Sequence, residues 1–224
     1  MLITGASTGI GAATARQAVE AGWRVVLGAR GEERLAELAG SLGGESAALY
    51  RRCDVAEWED QQELVKLAVD GFGGLDVVFA NAGFGAKRGF LEESVEQWKA
   101  MIDTNVLGTA LTIRATLPTL REQGRGQYVI TSSVAGRRAL PGSLYAATKH
   151  AVTAMGEGLR QEVSDSDIKV TLIEPGMVDT PFFENRPNGA LAAEDIASAV
   201  MWAISQPANV DVNEILIRPV RQAN

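Results

Sequence analysis

Seven short apolar runs, rich in β-branched residues, punctuate the chain at residues 1–3, 24–29, 47–53, 75–80, 127–132, 168–174 and 214–218. Longer segments of helical period separate them. A parallel strand covered on both faces reads as a continuous apolar run, whereas a helix lying on a sheet repeats its apolar residues every three to four positions. The alternation therefore predicts repeated βαβ units: an α/β, Rossmann-type doubly wound parallel sheet of about seven strands, with helices on both faces. Small residues at Ala12, Ala13, Ala15 and Ala18 predict a first helix that approaches the sheet closely, and Leu35, Leu38 and Leu42 mark the second. The longest helices are expected over 95–120 and 144–163, with another over 193–205 ending before Pro207.

No repeat or low-complexity linker divides the 224 residues, so one domain spanning 1–224 is expected to carry both dinucleotide binding and catalysis. Segment 175–190 stands apart. It holds three prolines, two glycines and Phe182-Phe183 between a strand and a helix, which makes it a loop: either a surface connection or a substrate lid.

Charge and composition exclude several classes. A formal charge of -7 repels a phosphate backbone, so no nucleic-acid partner is expected. Pairs such as Arg51-Arg52, Lys87-Arg88 and Arg137-Arg138 read as solvated surface. One cysteine, Cys53, and one histidine, His150, are too few for an intrachain disulfide or a zinc site, so no metal is expected. The start lacks a basic leader, and no run of about 18 apolar residues exists. A cytoplasmic protein without a membrane partner is the expectation.

Two motifs carry chemistry. Thr4-Gly5-Ala6-Ser7-Thr8-Gly9-Ile10-Gly11 lies at the first strand-to-helix turn. Glycines there permit a tight turn and let backbone N–H groups at a helix N-terminus approach a pyrophosphate. The spacing is GxxxGxG rather than GxGxxG. Tyr145 and Lys149 are four apart near the start of a long helix and share one face, where an ammonium favours the ionised tyrosine.

Together the motifs resemble the short-chain dehydrogenases and reductases over essentially the whole chain. The same resemblance includes Asn81-Ala82-Gly83, Asn105, Ser132-Ser133, and Pro175-Gly176-Met177-Val178-Asp179-Thr180. Most of these follow the carboxyl ends of predicted strands, where open α/β sheets bind ligands. The resemblance implies that Tyr145 transfers the proton, Lys149 lowers its pKa and holds the nicotinamide ribose, and Ser133 bonds the substrate oxygen. It implies that Asn105 organises a water linking Lys149 to solvent. For the cofactor it implies contacts from Gly5, Ser7, Gly9, Ile10, Gly11, Asp54, Val55, Asn81, Ala82, Gly83, Pro175, Gly176, Val178 and Thr180, beside Tyr145 and Lys149. Competing roles remain: Asp54 as a helix cap, Thr180 as a loop brace, and Ser132 as a substitute for Ser133, which lies twelve residues before Tyr145 rather than the family's commoner thirteen.

At the end of the second strand stands Ala29, where NAD-binding sites usually place a carboxylate, and Arg30 follows. A guanidinium binds phosphate through parallel hydrogen bonds, so NADP(H) is the expected cofactor. The tail 210–219 resembles NADP-dependent 3-hydroxy acid and serine dehydrogenases. A 3-hydroxy acid is thus one expected substrate, with Arg186 as a candidate partner for its carboxylate. A 3-oxoacyl-thioester or general ketone reductase, and a silent dinucleotide sensor, stay open. Relatives pair through the helices bearing Asn105 and Tyr145, implying a homo-oligomer, dimer or tetramer, acting on a small-molecule carbonyl or alcohol.

Overall fold

A computed structural model describes residues 1–183 and 188–222. Its strands are β1 (Leu2–Thr4), β2 (Val25–Ala29), β3 (Ala48–Arg52), β4 (Val77–Ala80), β5 (Arg125–Thr131), β6 (Asp167–Pro175) and β7 (Glu214–Ile217). They form one sheet in the order β3-β2-β1-β4-β5-β6-β7, with every pair parallel. The seven expected runs all became strands. Their ends moved because pairing with a neighbour, rather than hydrophobicity, sets where a strand stops: Arg125 joins β5 because it lies opposite Asp167 of β6.

The helices are α1 (Gly9–Glu20), α2 (Glu32–Ser41), α3 (Trp58–Phe72), α4 (Val95–Ile102), α5 (Gly108–Gln123), α6 (Leu144–Glu162) and α7 (Ala193–Ile204). Successive strand residues point to opposite faces, which divides the core in two. Ile3, Leu27, Phe79 and Ile173 pack with Leu35, Leu38, Ile196 and Val200 under α1, α2 and α7. Leu2, Val26, Val78 and Ile130 pack with Leu64, Leu120, Val152 and Leu159 under α3, α5 and α6.

The single helix expected over 95–120 is instead α4 and α5 joined by a π-helical turn over Asp103–Leu107. Asn105, fully buried in that turn, spends its amide on groups outside the helix, and the wider turn carries it there. The order in which strands are added reverses between β1 and β4, so the carboxyl ends of these parallel strands open a crevice at the topological switch point.

Candidate active site

A crevice of about 1070 Å³ runs along those strand ends. One half of it follows from the Gly-rich turn. Gly5 sits at φ 65°, and a Cβ there would come within 2.8 Å of the Ala82 Cα, so the β1 and β4 ends can meet only with glycine at this position. Asn81 fastens the same junction: its amide donates to the carbonyls of Thr4 and Gly5 at 3.2 and 3.4 Å and accepts from Thr131 at 3.1 Å. Thr8 precedes α1, makes no side-chain cap bond, and lines the crevice with Gly9 and Ile10 of the first helical turn.

Ser7, Gly9, Ile10, Ala29, Arg30, Asp54, Val55, Ala82 and Gly83 all line the crevice. Gly11 does not, because it is packed against the Gly5 carbonyl inside the turn. Asp54 accepts from the Ala56 N–H at 3.1 Å, and α3 starts at Trp58 behind Glu57, so Asp54 is not the cap of that helix. Thr180 lies against Gly9 and accepts a 3.4 Å bond from the Phe182 N–H, combining crevice contact with loop bracing.

The other half converges on Tyr145. Ser143 caps α6 by accepting from the Ala146 N–H at 3.1 Å, which sets Tyr145 and Lys149 on the helix face that looks into the crevice. Ser133 lines the crevice with Tyr145, and its hydroxyl favours the ionised phenol. Ser132 instead donates to the Lys149 carbonyl at 3.1 Å and bonds Thr153 at 2.7 Å, a bracing role. Lys149 is 4% exposed and donates to the Thr131 carbonyl at 2.8 Å; its Nζ lies 5.8 Å from the Tyr145 ring centre.

Ionisation departs from the expectation that Lys149 draws Tyr145 downward. Burial pushes Tyr145 up to about 12, with the Ser133 hydrogen bond opposing it, and burial pulls Lys149 down to about 8. In the free chain the phenol is protonated at neutral pH. That is the form that donates a proton. Asn105 lies behind the crevice wall, accepting from the Phe84 N–H at 3.0 Å and donating to the Phe84 carbonyl and Thr148 at 2.9 and 3.1 Å.

Pro175, Gly176 and Val178 line the crevice past β6. The following loop turns back: Phe182 meets Tyr145 edge-on at 5.5 Å, and its ring packs over Gly85. Arg186 lies outside the described residues. His150 bonds the Ala146 carbonyl at 2.8 Å and takes no part in the crevice.

Sequence reasoning missed Arg34, and named Phe182-Phe183 in a surface connection or lid without their partners. Arg34 lines the crevice beside Arg30 and Gly31. Its signal was its place in the first turn of α2, the helix that follows the end of β2. No local spacing links Phe182 to Tyr145 or Gly85. Among the described residues no group of His, Cys, Asp and Glu can hold a metal ion, and no helix is long and apolar enough to cross a membrane.

Residues 1–190 match the family model described as short chain dehydrogenase. The chain belongs to the short-chain dehydrogenases. It is 40% identical over 223 residues to a protein named uncharacterized oxidoreductase from Staphylococcus aureus, covering 98% of this chain and 96% of that one. An alcohol dehydrogenase from the archaeon Thermococcus sibiricus, solved with 5-hydroxy-NADP, superposes with a TM-score of 0.92 at 35% identity, covering 100% and 97% of the two chains. The closed form of a serine dehydrogenase with NADP+ superposes with a TM-score of 0.92 at 31% identity, covering 100% and 96%. A short-chain dehydrogenase is an oxidoreductase. The Rossmann sheet and its crevice are accordingly those of an enzyme.

Proposed function

We propose that the enzyme interconverts a carbonyl and a secondary alcohol with NADP(H), using Tyr145 as the proton-transfer residue. The carrying observation is the meeting of Ser133, Tyr145 and Lys149 at one end of a crevice whose other end holds Arg30 and Arg34. A dinucleotide fits that shape: a helix N-terminus for the pyrophosphate, a glycine at each close approach, and two guanidiniums with no carboxylate at the end of β2. Held there, NADPH would supply the hydride. Ser133 holds the substrate oxygen, Tyr145 gives it a proton, and the Lys149 ammonium favours the tyrosinate left behind. Phe182 and Phe183 pack beside Tyr145 at the edge of the site.

Arg88 and Arg221 line the same crevice and enter no ion pair among the described residues. They support an acidic substrate, and a 3-hydroxy acid is the reading we favour over neutral ketones or 3-oxoacyl thioesters. Exposed Phe90, Leu91, Val95, Ile102 and Leu107, before and along α4 and the π-helical turn, support a homo-oligomer, and light scattering reads its size. The buried, unpaired Cys53 thiol suits the reducing cytoplasm.

The test follows nicotinamide absorbance with wild type, both cofactors, and matched 3-hydroxy acids and neutral alcohols, together with the corresponding ketones. NADP(H)-dependent turnover favouring the acids is expected. No turnover of any carbonyl or alcohol would remove the enzymatic reading, and equal use of acids and neutral alcohols would remove the acidic substrate.

A further inference from the structure

Behind the catalytic face, and outside the crevice lining, an ionic network centred on the buried Glu174 plays no part in the mechanism above. Arg137 follows the short helical turn after Ser133, and its Nε donates to Glu174 Oε1 at 2.6 Å. Glu174 is 1% exposed and immediately precedes Pro175-Gly176. The second arm of the guanidinium pairs with Glu214 at the start of β7. Burial pushes the Glu174 carboxyl up while Arg137 opposes the shift, and Thr153 of α6 bonds Ser132 at 2.7 Å. Ser132 in turn donates to the Lys149 carbonyl at 3.1 Å. Gly136 is hemmed in by this group: a Cβ there would fall 2.5 Å from Ser132 Oγ, 2.7 Å from Thr153 Oγ1 and 2.8 Å from the Lys149 carbonyl oxygen.

The network touches each wall of the reaction site from the rear. Ser133 is reached through the turn ending at Arg137, Lys149 through Ser132, and the nicotinamide side through Glu174. Ser133 and Pro175 also touch directly, through a 3.4 Å bond from the serine hydroxyl to the proline carbonyl. A buried carboxylate is costly unless its partner is held in good geometry, and a guanidinium bridging two carboxylates fixes three chain segments at once.

We propose that Arg137 and Glu174 are positioning residues, whose ion pair holds Ser133 at its distance from Tyr145 and from the Pro175–Gly176 segment. The proposal rests on the carbonyl-reductase reading. An ion pair serving the fold alone would change the unfolding temperature and leave the kcat of folded enzyme untouched.

Arg137→Met strands a buried carboxylate, so the decisive variant is Arg137→Met with Glu174→Gln, which removes both charges. With NADPH saturating and the double variant shown folded by circular dichroism, kcat is expected to fall about tenfold while the NADPH Kd stays within about twofold, the pattern of a misplaced reacting group. Arg137→Lys, which keeps a cation beside Glu174, is expected to restore most of that loss. In a Ser133→Ala background the double variant should cost less than about twofold, because the serine it positions is gone. Wild-type kcat in the folded double variant overturns the proposal, as does a full tenfold loss persisting without the Ser133 hydroxyl.

Amide hydrogen exchange at 132–137 and 174–177 reads the network without turnover, and both segments should exchange faster in the double variant. Should the double variant fail to fold, Glu174→Gln alone carries the same kcat and exchange tests. Unchanged exchange overturns the network whatever substrate is found. Faster exchange in a protein that reduces no carbonyl overturns the functional reading instead.

Discussion

Replacing Lys149 by methionine should abolish turnover and, near neutral pH, make the protein more stable. Lys149 is 4% exposed, and burial brings its ammonium from 10.5 to about 8. The fold thus disfavours the protonated form. Its cost is present in full below about pH 8, shrinks as pH rises towards the unfolded-state value of 10.5, and vanishes above it. At roughly 1.4 kcal/mol per pH unit, the cost is about 3 kcal/mol near pH 6.5 and about 1 kcal/mol near pH 9.5. Methionine keeps much of the aliphatic stem and carries no charge. It also loses the 2.8 Å bond to the Thr131 carbonyl, which costs about 1–2 kcal/mol at either pH. The pH dependence is therefore cleaner than the absolute gain: the stability difference, methionine minus wild type, should fall by about 2 kcal/mol between about pH 6.5 and about pH 9.5. Urea unfolding at matched protein concentration, at both pH values, measures it. A difference that does not change with pH would refute the reasoning, because it would mean that folding leaves the lysine at its ordinary pKa.

Three further outcomes follow from the same geometry. Ala29→Asp should lower kcat/KM for NADPH and raise it for NADH, while Arg30→Ala and Arg34→Ala should each weaken NADPH use by about three- to tenfold with little effect on NADH. An unchanged cofactor ratio in both arginine variants would dismiss the phosphate site. The profile of kcat/KM for NADPH, which reports groups on the free enzyme, should fall as pH rises through about 8, where Lys149 loses its charge, rather than near 12, where Tyr145 ionises. Ser133→Ala should lower kcat at least about a hundredfold and Ser132→Ala far less, and the reverse order in steady-state assays would show that Ser132 bonds the substrate.

The fold was legible because its strands are covered on both faces, so that Val25-Val26-Leu27 or Val77-Val78-Phe79 reads as unbroken apolar sequence. The π-helical turn at Asp103–Leu107 was not legible, since it leaves the helical period on either side nearly intact and is marked only by where the Asn105 amide finds partners. Within the site, what depends on local spacing could be read: the Gly-rich turn, and Tyr145 four residues before Lys149. What depends on separate segments meeting could not. Phe182 reaches Tyr145 and Gly85 from distant parts of the chain, and Arg137 finds Glu174 across two elements. The direction of the Tyr145 shift belongs with these, because it follows from how deeply the phenol is enclosed rather than from the lysine four residues on.

The most direct test of the account compares NADPH oxidation by wild type and Tyr145→Phe with a ketone that wild type reduces, alongside NADPH binding by fluorescence. Phenylalanine removes only the hydroxyl that gives its proton to the substrate oxygen. Binding should stay within about twofold and kcat should fall by at least about a hundredfold, the scale of a lost general acid. Near-normal turnover by the folded variant would contradict the assignment of Tyr145 and the mechanism built on it.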